Sequence, residues 1–277
     1  MPITTVTLGV SSAVIEGFDS PSDTNNKNGN IMFSRKKSST NKIEFLTRHH
    51  RLEGFSGPRP SSKVLPSWLK GLSKFVDSSN FTGMTVKSCM PFLDAMTSGY
   101  VITAATDMTL RGWTEGKEKH WQATWNVPME VERPEFVTSH DVPQMGNEPA
   151  IKSGSLPLKM RNFFCIKTPE GYSSLIVPVL NNQQLPMMGI TFLSAVVDTD
   201  TYNNEINFPF LFSNFTGEDL FIEKGTPLVQ VIPFKRENWE MEKSGVDGDY
   251  YASKDLLLGS RIVDSYRKIF HKKKTYL

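Results

Sequence analysis

The chain has 277 residues, 38% of them hydrophobic, which suffices for one large domain or two small ones with a real core. Its 31 Lys and Arg stand against 29 Asp and Glu, and a net charge of +2 excludes a polyanion as the partner announced by the molecule as a whole. Two cysteines, Cys89 and Cys165, exclude a disulfide framework and sit in no Cys-x-x-Cys or Cys/His ligand spacing, so a reducing compartment is expected.

The opening MPITTVTLGVSSAVIEGF lacks a basic start followed by an apolar run, so no signal peptide is expected. No run of about 18 apolar residues offers a membrane span. Asn80-Phe-Thr and Asn214-Phe-Thr match the glycosylation pattern, but nothing points to secretion. Charge is uneven: the first 75 residues and the last 25 are basic. Residues 20–42, rich in Asn, Ser and Lys, bury too little to offset their ordering entropy, so residues 1–42 are expected to form a mobile basic arm. Arg35, Lys36 and Lys37 read as a solvated charge run, with phosphate contact as the alternative.

Ile43 to Leu46 reads as a short strand. Pro58 and Pro60 impose extended backbone, and Ser67 is placed to cap a brief helix with Trp68, Leu69 and Leu72 on its inner face. His49 and His50 are adjacent and so do not face one site on a strand. Met84 to Leu110 reads as strand, tight turn at Ser98-Gly99, and strand. In its second half Tyr100, Ile102 and Ala104 alternate with Val101, Thr103 and Ala105, which suits a strand covered on both faces.

Residues 111–160 read as a β-rich insertion. Trp113, Trp121 and Trp125 are set there among polar residues, suited to a flap or a subunit contact. His120, His140 and Asp141 fit no compact metal-ligand spacing. From Phe163 onward strands are expected over 163–167, 172–179, 189–197, 205–213, 219–222 and 227–234, with Pro169-Glu170-Gly171, Asn181-Asn182, Thr216-Gly217 and Lys224-Gly225 as turns. Many short strands without βαβ alternation imply a mainly β protein, a sandwich, jelly roll or other closed β-fold. Residues 237–277 form an expected helical tail. Leu258, Ile262, Tyr266, Ile269 and Phe270 make its apolar stripe, and His271 to Lys274 its cationic end. It suits docking on the body or on a neighbouring subunit, with membrane-surface or nucleic-acid contact as the alternative.

Val196-Val197-Asp198-Thr199-Asp200-Thr201-Tyr202, followed by Gly225-Thr226-Pro227-Leu228-Val229-Gln230, resembles the signature of the trimeric dUTPase and dCTP-deaminase superfamily. Thr168-Pro169-Glu170-Gly171-Tyr172 resembles the turn that precedes that family's phosphate motif. Ala95-Met96-Thr97-Ser98-Gly99-Tyr100 resembles its first motif. The resemblance covers about half the chain and implies a β-clip (dUTPase-like) core over residues 43–236 and a homo-oligomer, with a trimer favoured. It makes Asp198, Asp200, Tyr202, Gln230 and Tyr100 ligand-binding candidates, and Asp198 the general base if the protein is an enzyme.

The departures weigh against catalysis. Where the family has Pro-Arg-Ser-Gly, this chain reads Val177-Pro178-Val179-Leu180-Asn181, with no guanidinium fork or hydroxyl to neutralise phosphate. Val101 replaces the first-motif acid, and the Gly-rich closing arm has no counterpart. The plain reading of Asp198 and Asp200 is a turn whose carboxylates bind backbone N–H groups. For Gln230 it is a buried amide pinning two strands, and for Tyr202 a packed edge aromatic.

The chain is also similar to a family of tailed-phage and bacterial proteins. The carrying residues are Pro58-Arg59-Pro60, Pro66-Ser67-Trp68-Leu69-Lys70, Lys167 to Ser173 and Gly225 to Glu237. That similarity implies a phage origin and assigns no activity. The leading reading is a non-enzymatic, phage-encoded binding or assembly module in the host cytoplasm or the virion, associating with itself and with virion or host proteins, and needing no cofactor. The alternative is a nucleotide-binding or nucleotide-hydrolysing enzyme with a degenerate phosphate site, for which Mg²⁺ would be the cofactor. A third reading, nucleic-acid binding through Arg35–Lys37 and Lys272–Lys274, runs against the near-neutral whole.

Overall fold

The computed structural model describes residues 41–48, 56–77, 83–125, 135–146, 151, 154–245, 248–249, 251–252 and 265–277. Residues 1–40 of the arm expected over 1–42, the His49-His50 pair, and Leu258 and Ile262 of the tail lie outside the described residues.

In chain order the strands are β1 (Glu44–Leu46), β2 (Arg59–Pro60), β3 (Tyr100–Thr103), β4 (Met108–Glu115), β5 (Glu118–Trp125), β6 (Val137–Ser139) and β7 (Leu156–Met160). They continue with β8 (Cys165–Lys167), β9 (Tyr172–Pro178), β10 (Ile190–Phe192), β11 (Ala195–Val197), β12 (Phe208–Phe212), β13 (Asp219–Ile222) and β14 (Pro227–Lys235). The helices are short: α1 (Ser67–Gly71), α2 (Met90–Thr97), α3 (Gln184–Met187) and α4 (Ser265–Ile269). The architecture is mainly β, as the sequence predicts.

A five-stranded sheet runs β11-β9-β14-β3-β2 and a four-stranded one β10-β12-β7-β6. A three-stranded sheet, β13-β4-β5, and the β1-β8 pair complete the body. Each of these pairings is antiparallel. The core lies where Val229 and Val231 of β14, Ile102 of β3 and Ile176 of β9 meet Leu158 and Met160 of β7 and Phe208, Phe210 and Phe212 of β12. The three phenylalanines fall at every second position, so the two-residue period of the strand sends all of them inward. Burying each stabilises the fold by roughly 1.5–3 kcal/mol relative to leaving it exposed.

The expected strand over 189–197 is broken in two. Ile190–Phe192 pairs with β12 and Ala195–Val197 with β9, so this segment passes from one sheet to the other. The segment 111–160 is less of an excursion than expected. Its β4–β5 hairpin places Trp113 opposite His120, with the rings stacked 5.5 Å apart, but β7 is an inner strand of the four-stranded sheet and carries buried Leu158 and Met160.

Residues before Ser98 depart from the expected strand–turn–strand. Met90–Thr97 is the helix α2, with Pro91 in its first turn, where its missing N–H costs nothing. Thr97 and Ser98 return their hydroxyls to the carbonyls of Leu93 and Asp94. Gly99 follows with φ 64, a left-handed helix end rather than a hairpin turn. A Cβ there would collide with the carbonyl oxygen of Val231, so α2 leads directly into β3 against β14 only because residue 99 has no side chain.

Ser67 does not cap α1. Pro66 occupies the cap position, no side chain bonds there, and of the expected inner face Leu69 is buried while Trp68 is half exposed. In the tail, residues 237–245 form neither helix nor strand, whereas residues 248–249, 251–252 and Ser265–Ile269 are helical.

Candidate functional site

The acidic turn follows from strand pairing. Because Val197 of β11 lies opposite Ser174 of β9, the chain leaves β11 beside the start of β9. The Asp198 carbonyl accepts from the backbone N–H of Thr201 (3.1 Å) and of Tyr202 (2.9 Å), closing the turn. Thr199 anchors it from below. Its hydroxyl is fully buried and lies 2.8 Å from the Thr168 hydroxyl and 2.9 Å from that of Ser174. Such a buried hydroxyl chain is stable because each member has a partner.

Asp200 points the other way, toward the Thr168–Tyr172 turn, and accepts a hydrogen bond from the backbone N–H of Gly171 at 2.9 Å. Its side chain is only 4% exposed, against 64% for Asp198. A carboxylate so enclosed needs a counter-charge, and Arg236 supplies it. Arg236 stands one residue beyond β14, where pairing of Lys235 with Tyr172 delivers it to the start of β9. Its backbone N–H donates to the Gly171 carbonyl at 2.8 Å.

The Arg236 guanidinium forks onto Asp200. Nη1 donates to Oδ1 at 2.9 Å, and Nη2 donates closely to Oδ2. Nη1 also reaches the Tyr172 carbonyl and the Ser173 hydroxyl, each at 3.1 Å, and Asp198 Oδ1 at 3.4 Å. The Ser173 hydroxyl in turn donates to Asp198 Oδ1 at 2.7 Å. The Arg236 fork, helped by the Gly171 N–H, outweighs burial and holds the Asp200 carboxyl down at about 2, well below the usual carboxylate range. The same fork raises the guanidinium of Arg236.

This overturns one expectation. The Val177–Asn181 stretch has no phosphate grip, and it ends in a turn with Asn181 in the left-handed region at φ 57. Yet an arginine and a serine do converge on Asp198, from the end of β14 and the start of β9. The chemistry they support is nonetheless limited. Arg236 is engaged by both carboxylates, so a ligand would have to compete with them for its Nη1 and Nη2 donors. Asp198 alone keeps an outward-facing carboxylate.

The other candidates lie elsewhere. Gln230 sits in the middle of β14 and is fully buried, on the same strand as the arm of Arg236 but flanked by Val101 and Val177. Its Nε2 donates to the carbonyls of Ala95 (2.9 Å) and Ser98 (2.6 Å), and its Oε1 accepts from the Leu180 N–H at 3.1 Å. The amide therefore ties the end of α2 and the turn after β9 to the sheet. Tyr202, whose N–H helps close the acidic turn, is 45% exposed.

Tyr100 opens β3, pairs with Val231, and meets the edge of Phe45 at 5.5 Å and of Tyr276 at 6.1 Å. Burial, reinforced by Tyr276, raises its phenol. Its hydroxyl donates to the Leu277 carbonyl at 3.3 Å. The segment that brings Tyr276 is held by Asp94 of α2, which meets His271 at 3.2 Å and Lys274 closely. Burial alone would raise the Asp94 carboxyl, but the hydrogen bonds from Lys274 and His271 together bring it below its usual value.

Asp198, Asp200 and Tyr202 thus share one turn, whereas Gln230 and Tyr100 lie on β14 and β3, tied to α2 and to the C-terminal segment. Among the described residues no group of three or more His, Cys, Asp or Glu side chains could hold a metal ion, and no helix is long and apolar enough to cross a membrane.

No protein-family profile and no curated protein matches the chain. Among solved structures it is similar to a dUTPase from phage phi11 of S. aureus, at 12% identity, over 33% of this chain and 74% of that one, with a TM-score of 0.25. It is also similar to the native EIAV dUTPase, at 10% identity over 53% and 87% of the two chains, TM-score 0.28. A single-residue variant of the Staphylococcus phage 80alpha dUTPase aligns at 9% identity over 76% and 92%, TM-score 0.33. At these scores the likenesses are partial ones of β-architecture and assign no family.

Proposed function

We propose that the chain is a non-enzymatic, β-clip-like module for binding or assembly, phage-encoded and working as a homo-oligomer in the host cytoplasm or the virion, with a trimer as the favoured form. The proposed organisation is a basic arm over 1–42, a core over 43–236 and a tail over 237–277. Virion or host proteins are the further partners this reading calls for. The observation that carries it is the closure of the acidic turn. Arg236 is held by Asp200 on two oxygens and by Asp198 on one, so the guanidinium is committed to the turn, whose two carboxylates still outnumber it by one negative charge. A carboxylate without free electrostatic stabilisers for a transferring group lacks most of the rate advantage of a nucleotide hydrolase. Gln230 is occupied by three backbone groups, which makes it a structural amide in this reading.

A second reading has one observation in its favour. Arg236 and Ser173 stand within hydrogen-bond reach of Asp198, and an incoming phosphate could draw the guanidinium from the carboxylates. That reading makes the turn a nucleotide site, with Asp198 as base and Mg²⁺ as cofactor.

Thermal-shift titration with dUTP, dCTP and their monophosphates, with and without Mg²⁺, separates the two, since a ligand of the native state raises its melting temperature. The first reading expects no shift that depends on Asp198. A shift abolished by Asp198→Asn, or release of pyrophosphate from dUTP, would replace it with the second. Sedimentation equilibrium tests the homo-oligomer, and a monomer at every concentration removes the assembly part of the proposal.

A further inference from the structure

Asn204, Glu205 and Asn207, which follow the acidic turn in sequence, line an open cleft of ≈350 Å³. Its charged lining comes from Arg48 beyond β1, Lys159 on β7, Arg161 just after β7, Glu205 before β12, and Glu135. None of Asp198, Asp200, Tyr202, Gln230 or Tyr100 lines it. It is built by parts of the fold that the candidate site leaves unused.

The cleft is organised around Glu205. Its Oε1 lies 3.3 Å from Arg48 Nε and its Oε2 lies 3.5 Å from Arg161 Nη2. Arg161 is further fixed by its backbone N–H, which donates to the Phe136 carbonyl at 2.7 Å, and by the Phe163 ring, whose centroid is 4.8 Å from the guanidinium carbon. One carboxylate thus holds two guanidiniums toward the same space. Lys159, opposite Thr138 in the β6–β7 pairing, adds a third cation and has no ion-pair partner among the described residues. Among the described lining residues, three cations against Glu135 and Glu205 leave one positive charge in excess.

The size and polarity select a ligand class. A volume of ≈350 Å³ is at the small end of ligand sites, which run from roughly 300 to 1,000 Å³. The lining is mostly polar, so an apolar guest would leave Asn204, Asn207 and Thr138 without partners. Paired guanidiniums with an ammonium beside them suit a tetrahedral oxyanion, and neutral amides and a hydroxyl suit a body rich in hydroxyl groups. The contacts from Glu205 to the guanidiniums are longer than the Arg236–Asp200 fork, so an arriving anion can compete for them.

We propose that this cleft binds a small phosphomonoester of the sugar-phosphate type. Arg48, Lys159 and Arg161 take the phosphate, and Asn204, Asn207 and Thr138 take the hydroxyls. Glu205 pre-orients the guanidiniums and sets the affinity by competing with the phosphate for them.

Calorimetric and thermal-shift titration of the full chain with ribose 5-phosphate, glycerol phosphate, inorganic phosphate and uncharged ribose tests the assignment. Both phosphomonoesters should raise the melting temperature, and ribose should not. Lys159→Ala should weaken binding roughly tenfold or more, since a hydrogen bond to a charged group is lost, and Lys159→Glu should abolish it, while the melting temperature of the unliganded protein stays put. Arg236→Ala should leave the dissociation constant unchanged.

Absence of binding by either phosphomonoester overturns the proposal, as does binding that survives Lys159→Glu. Equal affinity for inorganic phosphate overturns the hydroxyl-recognising part and leaves an anion site. Because the acidic turn is tested through Asp198→Asn and the cleft through Lys159→Glu, failure of one is distinguishable from failure of the other.

Discussion

The acidic turn and the Glu205 cleft use the same two groups in opposite ratio. At the turn one guanidinium serves two carboxylates, and the fork onto Asp200 is closed on both oxygens. In the cleft one carboxylate serves two guanidiniums, at 3.3 and 3.5 Å, with a lysine to spare. Asp200 is almost wholly enclosed at 4% exposure, while Glu205 keeps 19%. The first arrangement uses its charge internally to hold two turns and a strand end together. The second keeps a cationic surplus, among its described residues, for an anion that arrives. The ratio of charges, more than their presence, separates a brace from a receptor.

The largest expected effect comes from breaking the brace. Arg236→Ala leaves the Asp200 carboxylate enclosed with backbone N–H donors but no counter-charge, and should lower the melting temperature by several degrees. Removing the charge as well, in Arg236→Ala with Asp200→Asn, should recover part of that loss. If the single variant melts like the parent protein, the turn is not a brace.

Acid should expose the same contrast without mutation. The Asp200 carboxyl is depressed to about 2 in the folded chain, so its stabilising contribution is present above its ordinary value of 3.8 and is lost as pH falls through about 2. Melting temperature measured from pH 5 downward should fall between pH 4 and 2, and the fall should be shallower in Arg236→Ala.

The smallest effect is expected in the cleft. Glu205→Gln should change stability by no more than about 1 kcal/mol, because its ion pairs are partly exposed, yet should tighten phosphomonoester binding by removing the competing anion. Calorimetry on this variant sharpens the comparison, and weaker binding would show that Glu205 organises the cations more than it competes with them.

Much of the sheet framework was legible. The expected strands over 172–179, 219–222 and 227–234 coincide with β9, β13 and β14 to within a residue, because Val, Ile, Leu and Phe runs bounded by Gly or Asn turns leave little choice. Met90–Thr97 was misread because Ser98-Gly99 has the same signature in a hairpin and at a helix end. Pro91 and the spacing of Leu93 and Met96 were the available signals for a helix. The 189–197 run was read as one strand because a passage between sheets leaves no mark in the alternation of side chains.

At the site, Asp198 and Asp200 stood out as an acidic turn, but their partner did not. Arg236 lies 36 residues from Asp200 in sequence, and only the pairing of β14 with β9 joins them. A motif confined to residues 177–181 does not extend to it. The cleft was invisible for the same reason: Arg48, Lys159 and Glu205 come from separate stretches of chain and form no motif.

Strand β14 carries Gln230 and, one residue past its end, Arg236. A slide of this strand by one residue against β9 would turn the amide from its three backbone partners into the apolar core and swing the arginine off both acids. The two side chains are of opposite character, one silent and interior, the other ionic and near water, yet each can be satisfied at a single alignment only. Together they pin the alignment of β14 at two points, so a slipped register is penalised at both the dry and the wet part of the same strand.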